Sequence, residues 1–215
     1  MGVDKNGYEV VYFEKKVGYK MKNYLADFLE DFSKSIVIAD IKRLQKISRT
    51  GKTYHHDTGP HKEDETVDLT LNELPKKWDG LWKRFIPYPN NKRSKCDLSI
   101  ETEEGKLFIE IKMMRLFGDN GKTSDNITMH ILSPYPQQRS ALTDIEKLKV
   151  SGFDGQKAIV IYGYDYDEYP IIKMMDCFEK LAQDDFNLPR IRFELEGLVH
   201  PIHQKGEIFG WMINE

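Results

Sequence analysis

The chain has 215 residues, 31% of them charged and 40% apolar; that is enough to bury one substantial core, with no compositional break asking for a second domain, and it excludes global disorder. A net charge of -3 rules out a uniformly basic nucleic-acid coat protein, so any nucleic-acid contact has to come from a local patch. No apolar run approaches the roughly 20 residues of a membrane-spanning helix, which sets membrane insertion aside. Only two cysteines, Cys96 and Cys177, occur, far apart, and no apolar leader opens the sequence; both features are expected of a protein in a reducing cytoplasm.

In chain order, apolar side chains first recur at Val10, Val17, Met21, Tyr24, Leu25, Phe28, Leu29 and Phe32. That is the spacing of an amphipathic helix, predicted for most of residues 10–32. Glu14 falls on its apolar stripe, where a carboxylate needs a partner. Residues 36–47 read as a second helix or a continuation of the first, followed by a polar loop, RTGKTYHHDTGPHKEDET, and a short strand at 67–71. Between 76 and 95 the chain carries Lys76, Lys77, Lys83, Arg84, Lys92, Arg93 and Lys95 against the single acid Asp79, with Trp78, Trp82 and Tyr88 interleaved. This stretch is either a solvated loop or a surface for phosphates, and the two tryptophans either anchor it in the core or stack on bases.

The runs CDLSIE and KLFIEIKMMRLF, separated by TEEGK, predict a hairpin with strands at 97–101 and 107–116. QQRSALTDIEKLKV predicts an amphipathic helix on Ala141, Leu142, Ile145 and Leu148, and KAIVIYGY is an apolar run of strand length, as in a strand covered on both faces. A helix at 173–183 and two strands, the first alternating at Ile191, Phe193 and Leu195, close the chain. The order predicts a single domain over residues 1–215, of α/β or α+β class, with a central mixed sheet flanked by helices.

Within LFIEIKMM, Glu110 and Lys112 stand two apart, so the strand period puts both on one face while Leu107, Ile109 and Ile111 fill the other. Opposite charges inside an apolar strand are costly unless paired. Asp97, at the start of the preceding strand, can pair beside Glu110, and together they offer the oxygen ligands that magnesium prefers. Lys112, facing the same way, would orient or deprotonate a water and offset charge at a phosphate. The backbone carbonyl of Ile111 is a further candidate ligand. Three other acid-x-Lys triplets occur, at 14–16, 40–42 and 104–106, but only Glu110-Ile111-Lys112 lies in an apolar strand preceded by a paired aspartate. The plainer alternative is a buried ion pair without function.

Asp97, twelve intervening residues and then Glu110-Ile111-Lys112 resembles the signature of the PD-(D/E)XK nuclease superfamily, with Cys96 in the place of the motif's proline. The element order is also similar to that family's common core of helix, three-strand meander, helix and strand, over about residues 10–165, leaving 166–215 as a C-terminal helix and hairpin elaboration. The resemblance implies a restriction endonuclease-like core and a DNA endonuclease dependent on Mg2+, with Mn2+ as a substitute. Asp97, Glu110 and Lys112 would be catalytic, and Asp97, Glu110 and Ile111 would bind the metal. It further implies that Glu14 adds a helix carboxylate, unless that residue is an ordinary helix-end charge. Gln137, Gln138 and Arg139 would reach the phosphate, unless they only open a helix. Double-stranded DNA is the implied partner, a restriction or defence role the implied setting, and cutting both strands would call for a homodimer or a second binding event. A nuclease fold that binds nucleic acid or protein without catalysis is the alternative.

Other motifs say less. His55, His56, Asp57 and His61 match no standard zinc spacing. His200 and His203 are separated by Pro201, so they read as a turn rather than one helical face, with phosphate or base contact as the functional alternative. No phosphate loop, serine elbow or dinucleotide fingerprint occurs, so no nucleotide cofactor is expected.

Overall fold

A six-stranded mixed sheet organises the protein, in a computed structural model that describes residues 24–42, 61–123 and 127–214, the backbone of 2–3 and 9–10, and positions 47, 50, 51 and 53. Near the start, β1 (Gly2–Val3) and β2 (Glu9–Val10) pair antiparallel. The first described helix, α1 (Tyr24–Ile41), buries Leu25, Phe28, Leu29, Phe32, Ile36 and Ala39, a spacing of three and four that gathers them on one face. It thus extends past Phe32, whereas Val10 belongs to β2. Glu14 lies outside the described residues.

The strand predicted at 67–71 is instead the end of a helix, α2 (Glu63–Leu71). The β-branched Thr66, Val67 and Thr70 suggest a strand locally, but Thr66, Val67, Thr70 and Leu71 are the residues it buries, a helical spacing. Three acids occupy its first turn, where the helix dipole favours them, and Glu65 accepts the Lys62 amide at 3.1 Å, as in a capping box. The first strand of the meander comes from the basic stretch: β3 (Trp82–Tyr88) pairs antiparallel with β4 (Asn91–Thr102), and β4 with β5 (Gly105–Met114). Trp78 is buried edge-on against Phe28, with its indole N–H 2.8 Å from Asp31, so this tryptophan anchors the core.

The chain then passes through α3 (Ile127–Leu132) and a 3-10 turn at Pro136–Gln138 to α4 (Ala141–Lys149). The predicted helix therefore starts later than Gln137. Arg139 adopts a left-handed conformation and Ser140 caps the helix by accepting the Thr143 amide at 3.2 Å. Strand β6 (Gln156–Asp165) returns parallel to β5. After α5 (Ile171–Leu181) come β7 (Ile191–Leu195) and β8 (Lys205–Met212). The strand order is β3-β4-β5-β6-β8-β7, with β8 seated antiparallel between β6 and β7.

Two apolar layers cover the sheet. Leu107, Ile109 and Ile111 face α1 and α2, while Phe108 and Met114 face α3, α4 and α5. Glu110 and Lys112 share the parity of Phe108, which sends them toward α4. Among the described residues no helix is long and apolar enough to cross a membrane.

The β5–β6 junction leaves no room for a side chain at Gly163, where an added Cβ would lie 2.3 Å from the Met114 carbonyl oxygen. Gly163→Ala is expected to lower stability by about 1–3 kcal/mol through backbone displacement, read as a shifted urea midpoint with an unchanged m-value; an unchanged midpoint would contradict this packing.

Candidate active site

The site forms where two strands part. Pairing of β4 with β5 runs from Thr102↔Gly105 to Leu98↔Ile109 and ends there, although β4 reaches back to Asn91 and β5 on to Met114. Alternate residues of β5 aim their N–H and C=O toward the β4 side, so Ile111 and Met113 face the gap. Buried amides do not stay unpaired. Asp97 Oδ2 accepts the Ile111 amide at 2.8 Å, and Glu63 Oε2, from the start of α2, accepts the Met113 amide at 2.5 Å. Two carboxylates thus stand in for the missing strand, and the Ile111 carbonyl faces the same gap.

Asp97 and Glu110 lie one residue beyond the last register pair on their strands, and both line one cleft. Glu110 is only 2% exposed. Burial, reinforced by the Asp97 and Asp144 carboxylates, pushes its carboxyl well above the usual range. The Tyr88 hydroxyl donates to Glu110 Oε1, and Lys147 Nζ, from α4, lies 2.8 Å from the same oxygen. Asp144, also on α4, bridges two ammonium groups, Lys112 at 2.6 Å and Lys147 at 2.8 Å. Burial works against the Lys112 charge, but Asp144, Glu63 and Asp97 outweigh it and raise its pKa, so it remains an ammonium. Burial likewise lifts Glu63 to about 7, opposed by Lys112 and the Met113 amide.

Of these groups, Asp97, Glu110, Lys112, Asp144 and Lys147 line a cleft of about 600 Å³, together with Arg93, Lys95, Arg139 and Thr143. The predicted trio Asp97, Glu110 and Lys112 therefore comes together, with Ile111 beside it. The basic stretch divides. Arg93 and Lys95 line the cleft, and Lys83 and Lys92 are exposed on β3 and β4 without lining it. Lys76 and Lys77 lie in the 3-10 turn ahead of β3, with Lys77 paired to Asp31. Arg84 is not the free phosphate contact that its sequence context suggests. Its guanidinium is taken up by Asp64 at 3.0 Å, Asp68 at 2.9 Å and the Asp97 carbonyl at 2.7 Å, because α2 brings its acids against β3. Arg139 reaches the cleft, and Gln138 sits in the preceding turn without lining it.

Four participants went unread in the sequence. Asp144 carried a legible signal, since it lies three residues after Ala141 and four before Leu148, all buried on α4. Lys147 follows Asp144 by one helical step. Glu63 and Tyr88 gave no local sign, since their partners lie 50 and 22 residues away.

A second cluster lies apart from the cleft. Asp119, His200 and His203 place ligand atoms within 4.8 Å of one another, a set that could hold a metal ion. Both histidines are fully buried, so the phosphate or base contact considered for them does not fit. His200 Nδ1 accepts the amides of Ile202 at 3.0 Å and His203 at 3.2 Å, which leaves its ring proton on Nε2. A neutral metal-ligating histidine has the reverse arrangement, donating from the nitrogen away from the metal. The two rings also stack, with centroids 4.4 Å apart and planes 21° from parallel. Tyr166 Oη is 2.7 Å from His203 Nδ1, and Asp119 is 3.6 Å from His203 Nε2. The Tyr166–His203 hydrogen bond ties the segment after β6 to the one before β8, while Asp119 Oδ1 and His203 Nε2 are buried without a hydrogen bond. His55, His56 and Asp57 lie outside the described residues, and His61 lies 3.5 Å from Glu65.

Comparison with protein-family models, with curated proteins and with solved structures gave no significant match.

Proposed function

We propose that the protein is a magnesium-dependent endonuclease of the PD-(D/E)XK kind, with a restriction endonuclease-like core, that hydrolyses phosphodiester bonds of double-stranded DNA in a restriction or other defence role. The observation that carries this is the adjacency of the Asp97 and Glu110 carboxyls on parting strands, with Lys112 on the same side of one cleft. The run β3-β4-β5-α3-α4-β6, a meander followed by a short helix, a longer one and a strand parallel to β5, supports it as well.

The donor set fits a hard cation. Glu110 is buried among other acids, and its carboxyl is held above the usual range because burial and negative neighbours outweigh Lys147; a divalent ion relieves that excess. Asp97, Glu110 and the Ile111 carbonyl would hold it. When bound, the ion supplies polarisation of the phosphate and a water of lowered pKa. Lys112 acts as an ammonium, orienting a water or phosphate oxygen and offsetting transition-state charge. Its raised pKa argues against proton abstraction by this group. Among the described residues, Glu63 supplies a helix carboxylate beside Lys112. Arg93, Lys95 and Arg139 supply cations at the cleft for the DNA backbone.

One observation favours a non-catalytic nucleic-acid or protein-binding module: Lys112 and Lys147 are both engaged by buried acids, so the cluster is already partly neutralised. The discriminating experiment incubates the protein with supercoiled plasmid in Mg2+, in Mn2+ and in EDTA. Nicked or linear product only with metal is expected, and sequencing its ends distinguishes a recognition site from general cutting. DNA left intact in both metals would sink the nuclease assignment.

A further inference from the structure

We infer that Lys147 is a resident counter-cation: it holds the cation position against Glu110 while the cleft is empty and moves to the backbone phosphate when DNA arrives, so that metal and substrate enter together. This rests on the proposed nuclease site and adds a positioning residue to it.

The geometry is specific. Lys147 Nζ lies 2.8 Å from Glu110 Oε1 and 2.8 Å from Asp144 Oδ1, a bridging place between two carboxylates. Its side chain is 36% exposed, while those of Glu110 and Asp144 are 2% and 5% exposed. The acids are therefore fixed and the ammonium stands at the water-facing end of the pair, on a long flexible stem. Lys112 occupies the other Asp144 oxygen at 2.6 Å, so Asp144 keeps a cation if Lys147 leaves. Glu110 does not: the Tyr88 hydroxyl remains, but no second ammonium touches it among the described residues. A buried carboxylate stripped of its cation is strongly disfavoured, so Lys147 leaves Glu110 only as a metal ion or a proton takes its place. A divalent ion meets the converse obstacle, an ammonium already in contact with its ligand. The DNA phosphate resolves both, because it attracts Lys147 across the cleft and itself offers oxygen to the ion. Linkage then requires that DNA raise metal affinity and metal raise DNA affinity by the same factor.

The test is isothermal titration of Mg2+ into the full chain without DNA, at mildly alkaline pH where protons compete least with metal at Glu110. Lys147→Gln should bind Mg2+ about tenfold more tightly than the wild type, within the usual range of coupling between sites. Lys147→Arg, which keeps the charge, should stay close to the wild type. Adding a short DNA duplex should tighten Mg2+ binding more in the wild type than in Lys147→Gln. Circular dichroism confirms that each variant is folded, and Lys147→Met serves if Lys147→Gln is not. Unchanged or weaker Mg2+ binding by the folded neutral variant overturns the role of Lys147 alone. Absence of Mg2+ binding in the wild type, with and without DNA, overturns both this role and the nuclease site.

Discussion

Lys112→Ala is expected to lower magnesium-dependent DNA cleavage by about two to three orders of magnitude, the usual effect of removing a preorganised charge from a transition state. The structure adds a complication, because Lys112 also neutralises Asp144, which is 5% exposed. The alanine variant therefore loses stability as well as activity, and a lost rate by itself does not separate the two. Lys112→Met combined with Asp144→Asn removes both charges and keeps their volume, so the buried carboxylate no longer lacks its partner. That double variant should regain thermal stability while staying inactive. Cleavage at the wild-type rate by either folded variant would remove Lys112 from the chemistry. DNA binding in EDTA should change little, since Arg93, Lys95 and Arg139 still line the cleft.

Glu63→Gln should make the metal-free protein more stable at pH 8 and leave it little changed near pH 5. Burial raises the Glu63 carboxyl from 4.5 to about 7 in the folded protein, so the native state holds a proton that the unfolded chain releases earlier. Its favourable contribution is complete below about pH 4.5 and is lost as pH rises through about 7. The full loss amounts to about 3 kcal/mol at 1.36 kcal/mol per pH unit, and partial exposure brings it to about 2 kcal/mol. Glutamine carries no titrating group, and its carbonyl can still accept the Met113 amide. Urea unfolding in EDTA at the two pH values measures the difference. Equal destabilisation at both would mean that the hydrogen bond, not the ionisation, dominates at this position.

Much of the site was readable along the chain because its geometry is local. A strand period of two puts Glu110 and Lys112 on one face, and a short polar turn brings Asp97 back beside Glu110; neither step needs knowledge of any distant residue. The same locality explains the mistakes. Residues 66–71 carry β-branched side chains that favour a strand in isolation, but the contact of Thr66, Val67, Thr70 and Leu71 with the core selects a helix. The basic stretch looked uniform as a string of charges, and folding dispersed it. Arg84 was captured by Asp64 and Asp68, Lys77 by Asp31, and only Arg93 and Lys95 were delivered to the cleft.

The sequence by itself determined the strands and helix from β4 through β6 that carry the site and the three side chains that share a face, since both follow from periodicities of a few residues. Tertiary structure alone decided which strand opens the meander, that β8 inserts between β6 and β7, and that Glu63, Tyr88, Asp144 and Lys147 complete the cluster. These choices depend on desolvation and on partners far apart in the chain. A carboxylate becomes a different chemical group once buried beside others, and no local pattern records which distant amide or ammonium it will meet.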